Sequence, residues 1–322
     1  MTRYETRPFG PADLDAAAEL LADRHRRHRL DRPALNPAYE EAGGVRPLIC
    51  ALLEREGASG SIVLADGRAV AYVVGAPRDA KWGANVWVED AGSAGADPAA
   101  IRLGYADAAA RWVAAGLTHH YAVVPATDRA SVDAWFRLSF GVQHVHAVRE
   151  LPPAGFVVRA GSLVVRPAEK RDLDAIAALE PILPTHSTQS PVFSTTVSRM
   201  TPEEARAEVE EELADARFAA YVAELDGRVV GTALFCPLDL SDGNTPLMRP
   251  ASAGFLAFAA VPPDARGLGV GRALGDTCLV WARDSGYEWV AVDWRSTNLE
   301  ADRTWRAAGF RPTFYRLFRR ID

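Results

Sequence analysis

Runs of apolar residues at strand length alternate along this chain with apolar residues at helical spacing. Gly254 to Val261 (G-F-L-A-F-A-A-V) is an unbroken apolar run that predicts a buried strand, stopped by Pro262 and Pro263, which offer no backbone donor. Leu274, Cys278 and Trp281 then recur at helical spacing and predict a helix. Tyr287 to Trp294 (Y-E-W-V-A-V-D-W) mixes β-branched and aromatic residues in alternation and predicts the next strand. Apolar runs flank Asp66-Gly67-Arg68 and again Asp226-Gly227-Arg228, each a hairpin signal. The acidic run Glu203 to Asp215 reads as a helix with a solvated face.

The pattern repeats. Arg7-Pro8 followed by Asp13-Leu14-Asp15-Ala16 recurs 159 residues on as Arg166-Pro167 and Asp172-Leu173-Asp174-Ala175, and the two hairpin signals lie 160 apart. Phe136-Arg137-x-x-Phe140-Gly141 faces Trp305-Arg306-x-x-Gly309-Phe310 at an offset of 169. Strand, helix, hairpin, strand, helix, strand, helix therefore occurs twice. The growing offset places extra residues in the second copy near Leu238 to Ser252, a stretch rich in Pro, Asp and Gly. We expect one copy over 1–150, a Pro/Gly linker over 151–162 and a second copy over 163–322.

Composition narrows the class. At 322 residues and 48% apolar the chain can bury two cores, and 24% charged residues is ordinary for a globular protein. Without an apolar stretch of membrane-spanning length or a signal core, the expectation is a cytoplasmic protein with no membrane partner. A net charge of −6 argues against nucleic acid as a partner. Cys50, Cys236 and Cys278 lie far apart in apolar runs and read as buried thiols. The pairs His25/His28 and His119/His120 have no companion ligands nearby, so no metal is expected. Arg24 to Arg29 (R-H-R-R-H-R) reads as a solvent-facing cluster able to grip an anion.

Between the strand ending at Val261 and the following helix stand Arg266, Gly267, Leu268, Gly269, Val270, Gly271 and Arg272. Glycines at a strand-to-helix junction let backbone N–H groups converge, and the helix adds its positive dipole end, so this is a phosphate cradle. The spacing is neither G-x-G-x-x-G nor a P-loop. It is R-x-x-G-x-G (Arg266, Gly269, Gly271), which resembles the pyrophosphate loop of the GNAT superfamily of acyl-CoA-dependent N-acyltransferases. Asn298, Ala301, Trp305, Gly309 and Phe310 match that superfamily's Asn-x-x-Ala-x-x-x-Tyr-x-x-x-Gly-Phe segment, with tryptophan in place of tyrosine. The resemblance covers 163–322 strongly and the first copy weakly. In the first copy the corresponding segment near Ala96 has no R-x-x-G-x-G and carries Asp97 instead. The expected fold is α/β (α+β): two tandem GNAT-like domains, each a mixed, mostly antiparallel sheet flanked by helices. Tandem halves with one degenerate copy resemble the arrangement in mycothiol synthase; the rival reading is that both halves bind acyl-CoA in different ways.

The resemblance also implies chemistry. Acetyl-CoA is the expected co-substrate, held at its pyrophosphate by Arg266 through Arg272 and along its pantetheine arm by Ala259 and Val261. A backbone N–H at Ala259 or Ala260 would serve the oxyanion. Asn298 either contacts the cofactor or caps its helix. Trp305 cannot act as the acid that the family's tyrosine provides, and is expected to pack on the acyl or pantetheine end. Tyr315 is the replacement candidate, with a half-buried strand role as the alternative. The apolar fourth strand lacks the family's frequent glutamate, which leaves Asp293 as the leading base and Glu224 and Asp239 behind it; for Asp293 a structural role stays open. The expected activity is transfer of an acetyl group to a primary amine of a small molecule, in a ternary complex, by a monomer or homodimer. The alternative is a non-catalytic acyl-CoA-binding, sensing or interaction module.

Overall fold

The computed structural model describes residues 3–194 and 200–322. By internal contacts the chain divides into two compact units: Met1–Val145 with Thr245–Met248 and Pro312–Asp322, and His146–Asn244 with Arg249–Arg311. This division cuts across the sequence repeat, because the last eleven residues belong by their contacts to the first unit.

Unit 1 opens with β1 (Tyr4–Pro8), α1 (Leu14–Asp31), α2 (Ala42–Leu53), β2 (Ser59–Ala65) and β3 (Arg68–Gly75). It continues with β4 (Asn85–Val88), β5 (Ser93–Gly95), α3 (Pro98–Ala114), β6 (His119–Pro125), α4 (Arg129–Phe136) and the first half of β7 (Gly141–Glu150). Strands β1, β2, β3 and β5 form an antiparallel sheet. β4 pairs β6 in parallel, and β6 pairs antiparallel with the C-terminal strand. Trp112, Trp135, Tyr105 and Phe140 anchor one core cluster of this unit, and Leu21, Ile49, Ile62 and Tyr72 another.

Unit 2 runs through β8 (Val164–Pro167), α5 (Leu173–Ala177), α6 (Ile182–Ser187), α7 (Pro202–Ala214), β9 (Ala219–Leu225) and β10 (Arg228–Pro237). Then come β11 (Ala253–Ala260), α8 (Val270–Asp284), β12 (Trp289–Arg295) and α9 (Leu299–Ala307), before β13 (Arg311–Arg320) returns to unit 1. β8 to β11 are antiparallel neighbours, and β11 pairs β12 in parallel.

The repeat is physical as well as textual. Arg7 holds Asp13 through two bonds of 2.7 and 2.6 Å while Asp13 accepts the Gly10 N–H, and Arg166 holds Asp172 at 2.7 and 2.8 Å while Asp172 accepts the Glu169 N–H. Both hairpins turn through an Asp-Gly pair with positive φ at each residue (49° and 73°, 52° and 77°), the geometry of a type I′ turn. The third correspondence needs a one-residue correction. Trp135, not Phe136, is the buried counterpart of Trp305 in the first copy: each indole meets a phenylalanine edge-on, Phe140 and Phe310 respectively, whereas Phe136 is exposed.

The charge clusters take the roles their surroundings dictate. Arg24, His25 and His28 of α1 are buried, contrary to the solvent-facing reading, while Arg26 and Arg27 are exposed. Burial holds the His25 imidazole down to about 4 and that of His28 to about 3, so both are neutral in the fold. Their contribution to stability is present above pH 6.5 and is lost as the pH drops toward those values. His120 is buried against the Tyr105 hydroxyl at 2.7 Å. Cys236 and Cys278 are buried free thiols, and Cys50 is half-buried.

α7 turns Ala205 and Val209 inward, as its acidic pattern requires, yet Glu212 is half-buried near Glu180 and Glu208. Burial, reinforced by the neighbouring carboxylates, pushes Glu180 and Glu212 each up to about 7. Between pH 4.5 and 7 the folded chain keeps protons that the unfolded chain has lost, so stability falls as pH rises through that window. Glu212→Gln is expected to stabilise the protein by ~1–2 kcal/mol at about pH 8 and to have little effect near pH 4.5. Thermal melts of both proteins across that range provide the measurement.

Candidate functional site

Strand β11 carries one residue too many for its neighbour. Its register with β10 runs Leu234↔Phe258 and then Phe235↔Leu256, so Ala257 is bulged out and exposed. A bulge sharpens local twist, and the parallel pairing with β12 stops at the same place: Ala253 to Leu256 face Trp289 to Val292 and no further. From Ala257 on, β11 keeps β10 as a partner on one side while its other edge parts from β12. A V-shaped gap therefore opens beside Ala257–Ala260, with Asp293 as the first residue of β12 past the fork.

Helix α8 begins at the mouth of this fork. Gly267 and Gly269 adopt φ of 78° and 85°, the left-handed region that suits glycine, and Gly269 is the N-cap. No side chain caps the helix, so the first-turn N–H groups point outward with the positive end of the dipole. The helix lies close on the sheet because glycines floor it: a Cβ on Gly231 would sit 2.5 Å from Val270 Cγ1, and one on Gly254 would sit 2.7 Å from Trp281. Arg266 is partly exposed and pairs with Glu300 of α9 at 3.0 Å; Arg272 is exposed. Ala259 and Val261 are half-buried along the parted edge, and Ala260 is buried.

Asn298 is a helix cap: its Oδ1 accepts the Ala301 N–H at 3.1 Å. Trp305 is 7% exposed and packs under α8, where a Cβ on Gly275 would meet its ring at 3.1 Å, and its edge meets Phe310. The larger indole thus fills the space that Gly275 leaves. Tyr315 lies on β13 against the aromatic core cluster of unit 1, opposite Val124, in the half-buried strand role that its type also allowed. Glu224 is taken by Arg166, and Asp239 lies in the turn after β10.

Asp293 has a neighbour that sequence reasoning missed. His146, on the half of β7 that belongs to unit 2, places Nδ1 3.9 Å from an Asp293 oxygen. No local pattern could have paired residues so far apart in sequence.

In unit 1 the corresponding place is closed by its own side chains. Asp97 caps α3, accepting the Ala99 N–H at 2.8 Å and the Tyr4 hydroxyl. The Tyr4 bond first, then the Ala99 amide, holds this carboxyl below its usual range, so a negative charge already occupies the helix N-terminus. The counterpart of β11 is broken into β4 and β5 by the buried residues Glu89–Gly92. The Arg24 guanidinium donates to the Ser93 and Asp90 carbonyls there. The cavity left between α3 and α4, lined in part by Arg27, Pro98 and Asp128, holds about 260 Å³, below the ~300–1,000 Å³ of ordinary ligand pockets.

The fit of Trp305 to Gly275 gives a stability prediction. Gly275→Ala alone should cost about 1–2 kcal/mol by crowding the indole, and Trp305→Phe alone should cost a similar amount by leaving a gap. The double variant should lose less than the sum of the two, a non-additivity readable in denaturant melts.

With the geometry in hand, comparison with known proteins is informative. The profile of the Acetyltransferase (GNAT) family matches residues 187–310. The chain is 36% identical over 107 residues to aminoglycoside N(6')-acetyltransferase type 1 of Stenotrophomonas maltophilia, a span covering 33% of this chain and 68% of that protein. It is 33% identical over 104 residues to human N-acetyltransferase 8B, covering 31% of this chain and 43% of that protein, less than half its length. In fold it resembles a GCN5-related N-acetyltransferase from Sphaerobacter thermophilus, with a TM-score of 0.58 at 18% identity, over 98% of this chain and 94% of that one. Among the described residues no helix is long and apolar enough to cross a membrane. The forked strands and glycine loop of unit 2 are thus those of a known class: the chain belongs to the GNAT acetyltransferase family, as an acyl-CoA-dependent N-acetyltransferase.

Proposed function

We propose that this enzyme moves the acetyl group of acetyl-CoA to a primary amine of a small molecule, by direct attack in a ternary complex at unit 2. The observation that carries this reading is the fork after Leu256 and Val292 with the uncapped start of α8 at its mouth. Backbone N–H groups from Gly267 to Arg272, with the Arg266 and Arg272 charges, suit a pyrophosphate. The parted edge of β11 at Ala259 and Val261 suits the pantetheine amides, as an added strand would. The Asp97 cap and the Arg24 plug of unit 1 favour a supporting role for the first copy, 1–150, joined by 151–162 to a catalytic copy, 163–322.

The chemistry needs three provisions. The ammonium loses a proton to Asp293, and the freed nitrogen forms a bond to the thioester carbon. A backbone N–H at Ala260 stabilises the oxygen as it gains charge. The C–S bond then breaks, and the thiolate takes the second amine proton through water, an easy step for a thiol whose ordinary pKa is about 8.5. Neither Trp305 nor Tyr315 is assigned the acid. For the acceptor, the likeness to an aminoglycoside acetyltransferase makes polycationic amino sugars the first class to test, and the net charge of −6 favours cationic substrates.

Calorimetric titration with acetyl-CoA should show one site per chain. Arg266→Ala should weaken binding about five- to tenfold. Glu300→Gln, which releases Arg266 from its partner at 3.0 Å, should tighten it about two- to threefold. Thiol release with a panel of amino sugars, polyamines and aralkylamines then tests turnover. Two sites would remove the supporting role of unit 1, no binding would remove the proposed donor, and binding without turnover on any amine would favour a sensor.

A further inference from the structure

The connection between β10 and β11, near Leu238 to Ser252, is longer than the stretch 76–84 that joins β3 to β4 in the first copy. Its polar side chains are arranged around one histidine. His146 is 4% exposed, and its Nδ1 lies 3.2 Å from Asn244 Oδ1 and 3.9 Å from Asp293 Oδ2. The Asn244 amide nitrogen donates to Ser241 Oγ at 2.9 Å. The amide oxygen is then the atom beside His146, and the Asp293 carboxylate borders the same ring nitrogen, so a proton carried on Nδ1 would face two acceptors. The loop is itself pinned: Arg249 donates from Nε to the Asn244 carbonyl and from a terminal nitrogen to the Ser241 carbonyl at 3.0 Å. Ser241, Asn244 and Arg249 thus form one bonded cluster beside a buried histidine whose Nδ1 edge borders Asp293, the first residue past the fork.

We infer that His146 is a positioning residue for acetyl transfer, set by the inserted loop and acting through Asp293. This rests on the reading of Asp293 as the base. The carboxylate is 24% exposed and is the group that meets the acceptor. As the ammonium N–H bond breaks and a carboxyl O–H bond forms, the imidazole, with Nδ1 3.9 Å from Oδ2, borders the carboxylate and keeps it in the orientation that receives the proton. No proton passes to the imidazole in this step, and the carboxyl later returns its proton to solvent. Of the two ring nitrogens, only Nδ1 has this task.

That asymmetry supplies the test. Asparagine places an N–H where Nδ1 stood, whereas glutamine reproduces Nε2. His146→Asn should keep kcat within about threefold, while His146→Gln should lose about tenfold or more in kcat, with acetyl-CoA affinity unchanged in both. A histidine that only fills space would not distinguish the two by kcat alone. If His146→Gln does not fold, Ser241→Ala, which removes the acceptor of the Asn244 amide nitrogen, should lower kcat in the same way without weakening acetyl-CoA binding. Equal kcat in the two His146 variants, or wild-type kcat in both His146→Gln and Ser241→Ala, overturns the inference while wild-type turnover keeps the acetyltransfer reading intact. Loss of that reading would show instead in the wild type, as acetyl-CoA binding with no thiol release on any amine, and would remove the inference with it.

Discussion

Everything at the site depends on two parallel strands that stay together for four residues and then separate. Pairing of β11 with β12 to Leu256 and Val292 fixes their relative height, and the bulge at Ala257 ends it. A parallel pair broken this way leaves backbone donors and acceptors that neither strand can satisfy. The family puts a ligand in such a gap, and hydrogen-bond arithmetic explains why a polyamide arm suits it. The start of α8 at the mouth is the second half of the same solution, since its unsatisfied N–H groups need an anion where the strand edges need amides.

The two units show what keeps such a gap open. In unit 2, glycines at 231 and 254 let α8 lie close on the sheet, and glycines at 267 and 269 let the chain enter the helix without a capping side chain. In unit 1 the same positions are spent on internal satisfaction. Asp97 provides the negative charge that α3 would otherwise draw from a ligand, and Arg24 reaches the carbonyls freed by the strand break. A buried guanidinium in that role is a costly filler. It serves here because two carbonyls answer it and Asp90 lies near.

Much of this was legible in the sequence, for identifiable reasons. The strand 254–261, the helix through Leu274, Cys278 and Trp281, and the strand 287–294 each carry their periodicity locally, and each forms within a few residues of its expected place. The glycine loop was legible because positive φ leaves a residue signature. Less legible were features decided by contacts at long range. Trp305 turned out to fill the space above Gly275, a pairing across two helices. Tyr315 went to the core of unit 1, because the strand that bears it pairs with β6. Arg24 and His28 looked solvent-facing in a basic run, yet their helix turns them inward. His146 carried no signal at all, since its meaning comes from Asp293 and Asn244.

The return of β13 to the first unit also bears on how the protein is made. Phe314 pairs with Pro125 and Arg320 with His119, and Arg32 donates to the Pro312 carbonyl. A ribosome adding roughly 5–20 residues each second delivers that strand about 10–40 seconds after β6. For that interval the nascent first copy carries an unpaired strand edge, the kind that recruits other chains. The tandem arrangement thus makes the earlier half wait for the later one, and its exposure during synthesis is set by translation speed as much as by its own sequence.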